Sequence, residues 1–198
     1  WMMPKTSASL KGQSTAQGLV ALVCGVGFAA LGGVYLAAFD QLGRFELALA
    51  VLYLVSGVWM LLLGRSRFTP EFEAPTGSAL FGIAGTLALY LLTIKRFGLA
   101  PTGIVRVNTT LEALAALAAL LFCTAQLKTA YIPGGKSARW VWLSGMGAFA
   151  LCTCLALPQA VWQGMNGVDT PVSFPLAITL GCTGLLGAAC ARNIARRG

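Results

Sequence analysis

The chain contains no histidine, and only 10% of its 198 residues are charged. The first absence removes a bis-histidine haem, a His-ligated zinc and any Ser-His or Cys-His catalytic pair. Membrane cytochromes of the b type, zinc-dependent membrane proteases and rhomboid-like Ser/His proteolysis are thereby excluded. Acidic residues number six, and no two of them are spaced to support paired acid–base catalysis. The shortage of charge excludes more. A soluble domain carries about 25% charged residues. A chain with less than half of that could not dissolve without exposing large apolar patches. Disorder calls for low hydrophobicity, whereas 57% of these residues are hydrophobic and the mean hydropathy is +0.77. The bilayer is the solvent that fits.

What is present is a succession of apolar runs. A helix needs roughly 20 apolar residues to cross ~30 Å of hydrocarbon. Six runs qualify: Gly18–Phe39, Phe45–Gly64, Gly77–Ile94, Thr109–Leu127, Trp140–Leu157 and Phe174–Ala191. They are too long for strands, Ala, Leu and Gly outweigh β-branched residues, and the short alternating segments of a membrane β-barrel are missing. The expected fold is all-α, a polytopic bundle of six transmembrane helices forming one domain over residues 18–198. Residues 1–17, rich in Ser, Thr, Gln and Gly, read as a mobile cytoplasmic tail. The first run is longer than a signal-peptide h-region and ends without a convincing A-x-A site, so it reads as a retained helix.

Basic residues orient the bundle. Lys5, Lys11, Arg65, Arg67, Lys128, Lys136, Arg139, Arg192, Arg196 and Arg197 fall on one side of six crossings, and Arg44, Lys95, Arg96 and Arg106 on the other. Ten against four places both termini in the cytoplasm, with the bacterial cytoplasmic membrane as the expected location. The three basic residues of the third loop run against this assignment.

Several motifs dissolve on inspection. Pro133-Gly-Gly-Lys-Ser137 suggests a phosphate loop, but a Walker A turn needs glycine where Ala130 stands, and a helix rather than a strand precedes it. Topology and anionic headgroups explain that basic turn better. Asn108-Thr-Thr110 matches a glycosylation acceptor but abuts the membrane too closely to serve as one. The six cysteines all lie inside expected helices and no CxxC occurs, so they read as small buried hydrophobes. Cys152 and Cys154 would point about 200° apart on a helix and could not share a metal ion. No cofactor, metal or nucleic-acid partner is expected.

Candidate functional residues fall into two groups. The first is polar. Glu112 lies near a helix start, where Thr109-Thr-Leu-Glu112 reads as a capping box or, in the functional reading, as a cation or proton site. Glu46 reads as a headgroup-level charge. Ser56, Thr86, Gln126, Ser144 and Thr183 lie at helix depth, where each could bond back to its own backbone. The fifth loop, Pro158–Pro175, carries one charge, Asp169, with Gln159, Trp162, Gln163 and Asn166. It reads either as a membrane-surface segment or as a lid of amides and an indole over a polar solute. Glu112, Gln126, Trp162, Gln163 and Asn166 are therefore the expected substrate-binding residues. The second group is small. Gly25, Ala29 and Gly33 line one stripe, and Gly181, Gly184 and Ala188 another, so they are expected to face a neighbouring helix or a partner subunit. A weak repeat at an offset of 99 residues maps Cys24 on Cys123, Gly82 on Gly181 and Gly85 on Gly184. With three helices per half, such halves would be inverted, as in many transporters.

In size and helix count the chain is similar to the membrane substrate-binding components of energy-coupling-factor vitamin transporters, a likeness of architecture carried by no motif. The expected function is a small-solute transporter or the membrane substrate-binding subunit of one. The alternative is a non-catalytic membrane subunit or scaffold that packs against a partner membrane protein, the expected partners being such a subunit or further copies of the chain in a homo-oligomer. A lipid-acting enzyme with Glu112 as base is the weakest reading, for want of a partner group.

Overall fold

The computed structural model describes residues 14–37, 43–68, 79–98, 106–132, 137–166 and 173–197. They form α1 (Thr15–Ala37), α2 (Arg44–Ser66), α3 (Ala79–Phe97), α4 (Arg106–Tyr131), α5 (Ser137–Ala148), a π-helical segment (Phe149–Ala156), α6 (Leu157–Met165) and α7 (Ser173–Arg197). α5, the π segment and α6 run on as one fifth helix. Six helices are long and apolar enough to cross a membrane, and no strand occurs among the described residues. Exposed Val, Leu and Ile side chains are spread over the outside of the bundle. In water that surface would be untenable, and in lipid it costs nothing. This is an integral membrane protein. Trp140 and Trp162 are both exposed near the two ends of the fifth helix. Twenty-two residues at 1.5 Å per residue separate them by about 33 Å, which puts one indole at each bilayer interface.

Each helix packs on the next, and α7 returns to α1, so the six close into a ring. Phe28, Tyr53, Trp59, Leu89, Phe122 and Leu186 fill its interior and are fully buried. Backbone groups are satisfied within the helices, as hydrocarbon demands, and hydroxyls along the helices follow suit. Thr86 donates to the Ile83 carbonyl at 2.8 Å, Ser144 to Trp140 at 2.6 Å and Thr183 to Thr179 at 2.9 Å. Ser56 differs: its hydroxyl reaches both the Leu52 carbonyl of its own helix and, at 2.5 Å, the Gly85 carbonyl of α3.

Glycine sets the closest approaches. Gly18, Gly25 and Gly32 recur every seven residues on α1, and Gly64, Gly57 and Ala50 recur every seven in the opposite direction on α2. A Cβ on Gly25 would lie 2.9 Å from the Gly57 carbonyl, and one on Gly32 would lie 3.0 Å from that of Ala50. A seven-residue repeat is the period at which two helices stay in register along a left-handed crossing, and only hydrogen in place of Cβ lets the backbones meet there. The second half repeats the device between α5 and α7. A Cβ on Gly145 would meet the Gly187 carbonyl at 2.7 Å, and one on Gly184 would meet Ala148 at 2.8 Å. The positions related by the 99-residue offset hold comparable places. Gly82 and Gly85 of α3 face Trp59 on the second helix, whereas Gly181 and Gly184 of α7 face Leu157 and Cys152 on the fifth.

Two boundaries differ from the hydropathy reading. α1 begins at Thr15, and Gln17 is buried with its amide donating to the Ala189 carbonyl at 3.3 Å, so residues 14–17 belong to the bundle. The fifth helix continues through Pro158 to Met165 instead of giving way to a loop. Proline ordinarily breaks a helix because its ring strikes the carbonyl four residues back. Here the wider π turns directly precede Pro158, and the Leu157 amide bonds the Cys152 carbonyl five residues back, which makes room for the ring.

Candidate functional site

Four ionisable groups, Glu46, Lys95, Arg96 and Glu112, gather at one end of the ring, the end that the charge count assigns to the outside. α3 finishes there with Lys95 and Arg96, while α2 and α4 begin there. Side chains on a helix lean toward its N-terminus, so Lys95 and Arg96 reach back into the bundle. Glu46 and Glu112, near helix starts, lean outward. The four meet as two ion pairs across helices: Lys95 Nζ lies 2.8 Å from Glu46 Oε1, and Arg96 Nη1 lies 3.0 Å from Glu112 Oε2. Lys95 and Arg96 complement the C-terminus of α3 and Glu46 the N-terminus of α2, whereas Glu112 lies beyond the first turn of α4. Within each pair the cation is the more sheltered member, 28% against 38% exposed and 20% against 30%.

Aromatic rings lie directly beneath. Lys95 Nζ stands 5.9 Å from the centroid of Tyr35, whose ring is 5.8 Å from that of Tyr53, which in turn stacks on Phe28 at 6.1 Å. Tyr53 is fully buried and close enough to Arg96 to interact with it electrostatically. The phenolic oxygen of Tyr53 and Nε of Arg96 have no hydrogen-bond partner among the described residues.

On its other side Glu112 lines a small cavity between α4, the fifth helix and α7, together with Leu111, Ala156, Gln159, Ala160 and Leu180. Its volume is about 20 Å³, room for one water-sized group. Ala156 closes the π segment, and Gln159 and Ala160 sit in the first turn of α6, so one wall of the cavity is mounted on the irregular stretch of the fifth helix. π segments are rare and concentrate at functional positions.

The expected binding residues do not all converge. Glu112 is in the site, but the capping box is overturned: α4 starts at Arg106, so Thr109 lies inside the helix and the Glu112 carboxylate turns to Arg96. Gln126 lies fourteen residues further along α4, about 21 Å away, buried at the opposite end with its amide donating to Cys190 Sγ at 3.0 Å. Trp162 is exposed, and its carbonyl accepts from the Asn166 amide at 2.7 Å, so this pair closes the end of α6 away from the cavity. The side chain of Gln163 lies outside the described residues, as do residues 167–172 of the fifth loop. Arg96 and Tyr53 were not anticipated, and Gln159, expected as one amide of a loop lid, stands on a helix instead. The available signal for Arg96 was the Lys95-Arg96 pair directly at the end of the third apolar run, where one more turn of helix brings both side chains to the bundle.

The small residues divide likewise. Gly25 and Ala29 press on Gly57 of α2, and Gly181 and Gly184 on the fifth helix, so their contacts are internal to the chain. Ala188 is half-buried beside Gly187, which makes the contact with Gly145. Gly33 has nothing within 4 Å. Cys152 is buried, its thiol donating to the Ala115 carbonyl at 3.2 Å, and Cys154 is exposed, which is the opposition expected for alternate residues on a helix. Among the described residues no group of three Cys, Asp or Glu side chains is placed to hold a metal ion.

The chain matches no known family model, no curated protein and no solved structure. Its function is argued from the site alone.

Proposed function

We propose that the protein binds a small polar solute at the Glu112 end of the bundle, as a transporter or the membrane substrate-binding subunit of one. The observation that carries this reading is the cavity itself. Its polar lining is Glu112 and Gln159, it adjoins the Arg96 guanidinium, and one wall rides on the π segment and Pro158. Intramembrane ionisable groups are costly to keep and belong to solute and ion pathways. An irregular stretch of helix beside them is a feature that concentrates at functional positions. At about 20 Å³ the cavity is the closed form, and α6 swinging on the π segment admits anything larger than water.

The test is a melting screen of the purified chain in lipid nanodiscs against polar metabolites. A ligand at 100 times its Kd adds about 2.7 kcal/mol to the stability of the native state, a shift of several degrees. Glu112→Gln is expected to abolish the shift. Because that change also leaves Arg96 without its partner, Ala177→Leu provides a second arm. Ala177 lines the cavity and is not a member of the ion pair, and filling the cavity should abolish the shift in a protein that still folds. If a solute stabilises wild type and both variants equally, binding is elsewhere.

A second reading, a subunit packed against a partner membrane protein, is favoured by Gly33 on α1 and Gly147 on α5, which have open space around them. Gly184 is committed to internal packing, so the discriminating change is Gly33→Leu. It should release a co-purifying partner on this reading and do nothing on the first.

A further inference from the structure

The end of the bundle that carries both termini holds the whole positive excess of the chain. Ten of the fourteen basic residues fall there with two of the six acidic ones, which accounts for the net charge of +8, and the other end balances four against four. The exposed cations at this end stand on helix faces that look into lipid. Val51, Val58 and Arg65 recur every seven residues on α2, Leu114, Leu121 and Lys128 on α4, and Ile178, Leu185 and Arg192 on α7, all of them exposed. A seven-residue step returns to the same helix face. Each cation therefore crowns an apolar stripe where its helix leaves the hydrocarbon, at the depth of the lipid headgroups.

One seam brings two such cations together. Gly145 of α5 lies against Gly187 of α7, and Ala148 against Gly184. The two helices thus run antiparallel, and three residues further toward this end Trp142 comes level with Cys190, then Arg139 with Asn193, next to Arg192. A seam in a closed ring has one side toward the interior and one toward lipid. Arg139 and Arg192 are both exposed, so both flank the lipid side. We propose that an anionic phospholipid docks along the outside of this seam, its phosphate between Arg139 and Arg192. Among the described residues neither arginine pairs with a carboxylate. The two acidic residues of this end, Glu71 and Glu73, belong to the connection between α2 and α3, the seam across the ring. Arginine presents a fork of donors matched to phosphate oxygens, and basic sites between transmembrane helices on the membrane surface suit anionic headgroups. Below the arginines the seam is built for an acyl chain. Half-buried Trp142 and exposed Met146 continue the Arg139 face of α5, and half-buried Ala188 and exposed Leu185 continue the Arg192 face of α7. The close Gly145–Gly187 contact leaves a shallow groove between those two rows. A soluble anion would use the arginines but not the rows beneath them, which is why the occupant is a lipid.

The experiment uses the full chain in a neutral mild detergent. Phosphatidylglycerol and phosphatidylcholine of identical acyl chains are titrated in, with free glycerol phosphate as a third probe. Native mass spectrometry counts the lipids retained, and thermal melting follows their effect. The expected result is saturable retention and stabilisation by phosphatidylglycerol, with neither from phosphatidylcholine or free glycerol phosphate. Arg139→Gln or Arg192→Gln should weaken retention about fivefold and the double variant about thirtyfold. Without lipid the double variant should melt as wild type does, since both side chains are exposed. Arg65→Gln with Lys128→Gln removes the same charge elsewhere on the perimeter and should leave retention unchanged. Equal retention of the two lipids overturns the proposal. An equal loss in the Arg65/Lys128 variant overturns the placement at the seam and leaves only diffuse attraction around the bundle. Stabilisation by free glycerol phosphate as strong as that by the lipid overturns the lipid assignment in favour of a soluble anion.

Discussion

The α1–α2 crossing supports a quantitative prediction from a matched pair of substitutions. A Cβ on Gly57 would lie 2.9 Å from both the Ala29 amide nitrogen and the Gly25 carbonyl oxygen, and 3.1 Å from Ala29 Cβ. Two of those neighbours are backbone, which cannot rotate away, so Gly57→Ala forces the helices apart by about 0.5 Å to restore ordinary contact. A gap of that size forfeits roughly a quarter of each dispersion well along the seam. The loss extends to the Gly18–Gly64 and Gly32–Ala50 contacts, because rigid helices separate together. Overpacking of this kind costs about 1–3 kcal/mol. With three contacts affected the upper part of that range is expected, and for a chain of this size it lowers Tm by roughly 4–12 °C. Gly33→Ala is the control. A Cβ there meets nothing within 4 Å, and alanine is the better helix former by about 1 kcal/mol, so Tm should stay or rise. Tryptophan fluorescence during heating in a mild detergent measures both. Wild-type melting by Gly57→Ala, or an equal fall for Gly33→Ala, would refute the packing argument.

Two other outcomes are expected. Gln126→Leu removes a buried amide whose Oε1 has no partner. Relief of that penalty, about 1–3 kcal/mol, offsets the lost bond to Cys190, so stability should hold or improve, and solute-induced stabilisation should persist because the site is about 21 Å away. Reporter fusions at the C-terminus should report the cytoplasm, with fusions in the first, third and fifth connections reporting the outside. Reversal of that pattern would show that Lys95 and Arg96, held in ion pairs across helices, do not count in the charge balance as free loop cations do.

The candidate site was half legible. Glu112 stood out as a carboxylate at the head of an apolar run, although a capping box accounted for it as well, and its partner did not, since Arg96 reads in one dimension as a loop cation. The place of Gln159 was hidden for another reason. Proline at 158 signals the end of a helix, and only the π segment lets the helix pass it. Gln126, Trp162 and Asn166 were chosen for polarity. Polarity along a sequence says nothing of depth or facing, and the helix scatters them to opposite ends.

Composition and periodicity alone determined the solvent, the helical class and the number of crossings. Those properties are sums over local residues: hydropathy adds along the chain, and backbone hydrogen bonds in lipid must close within each segment. Tertiary structure decided which glycines meet, with Gly32 rather than Gly33 against α2. It also decided that Arg96 finds Glu112 and that Lys95 finds Glu46. A contact between helices depends on the rotation and depth of both partners, and neither helix carries that information by itself.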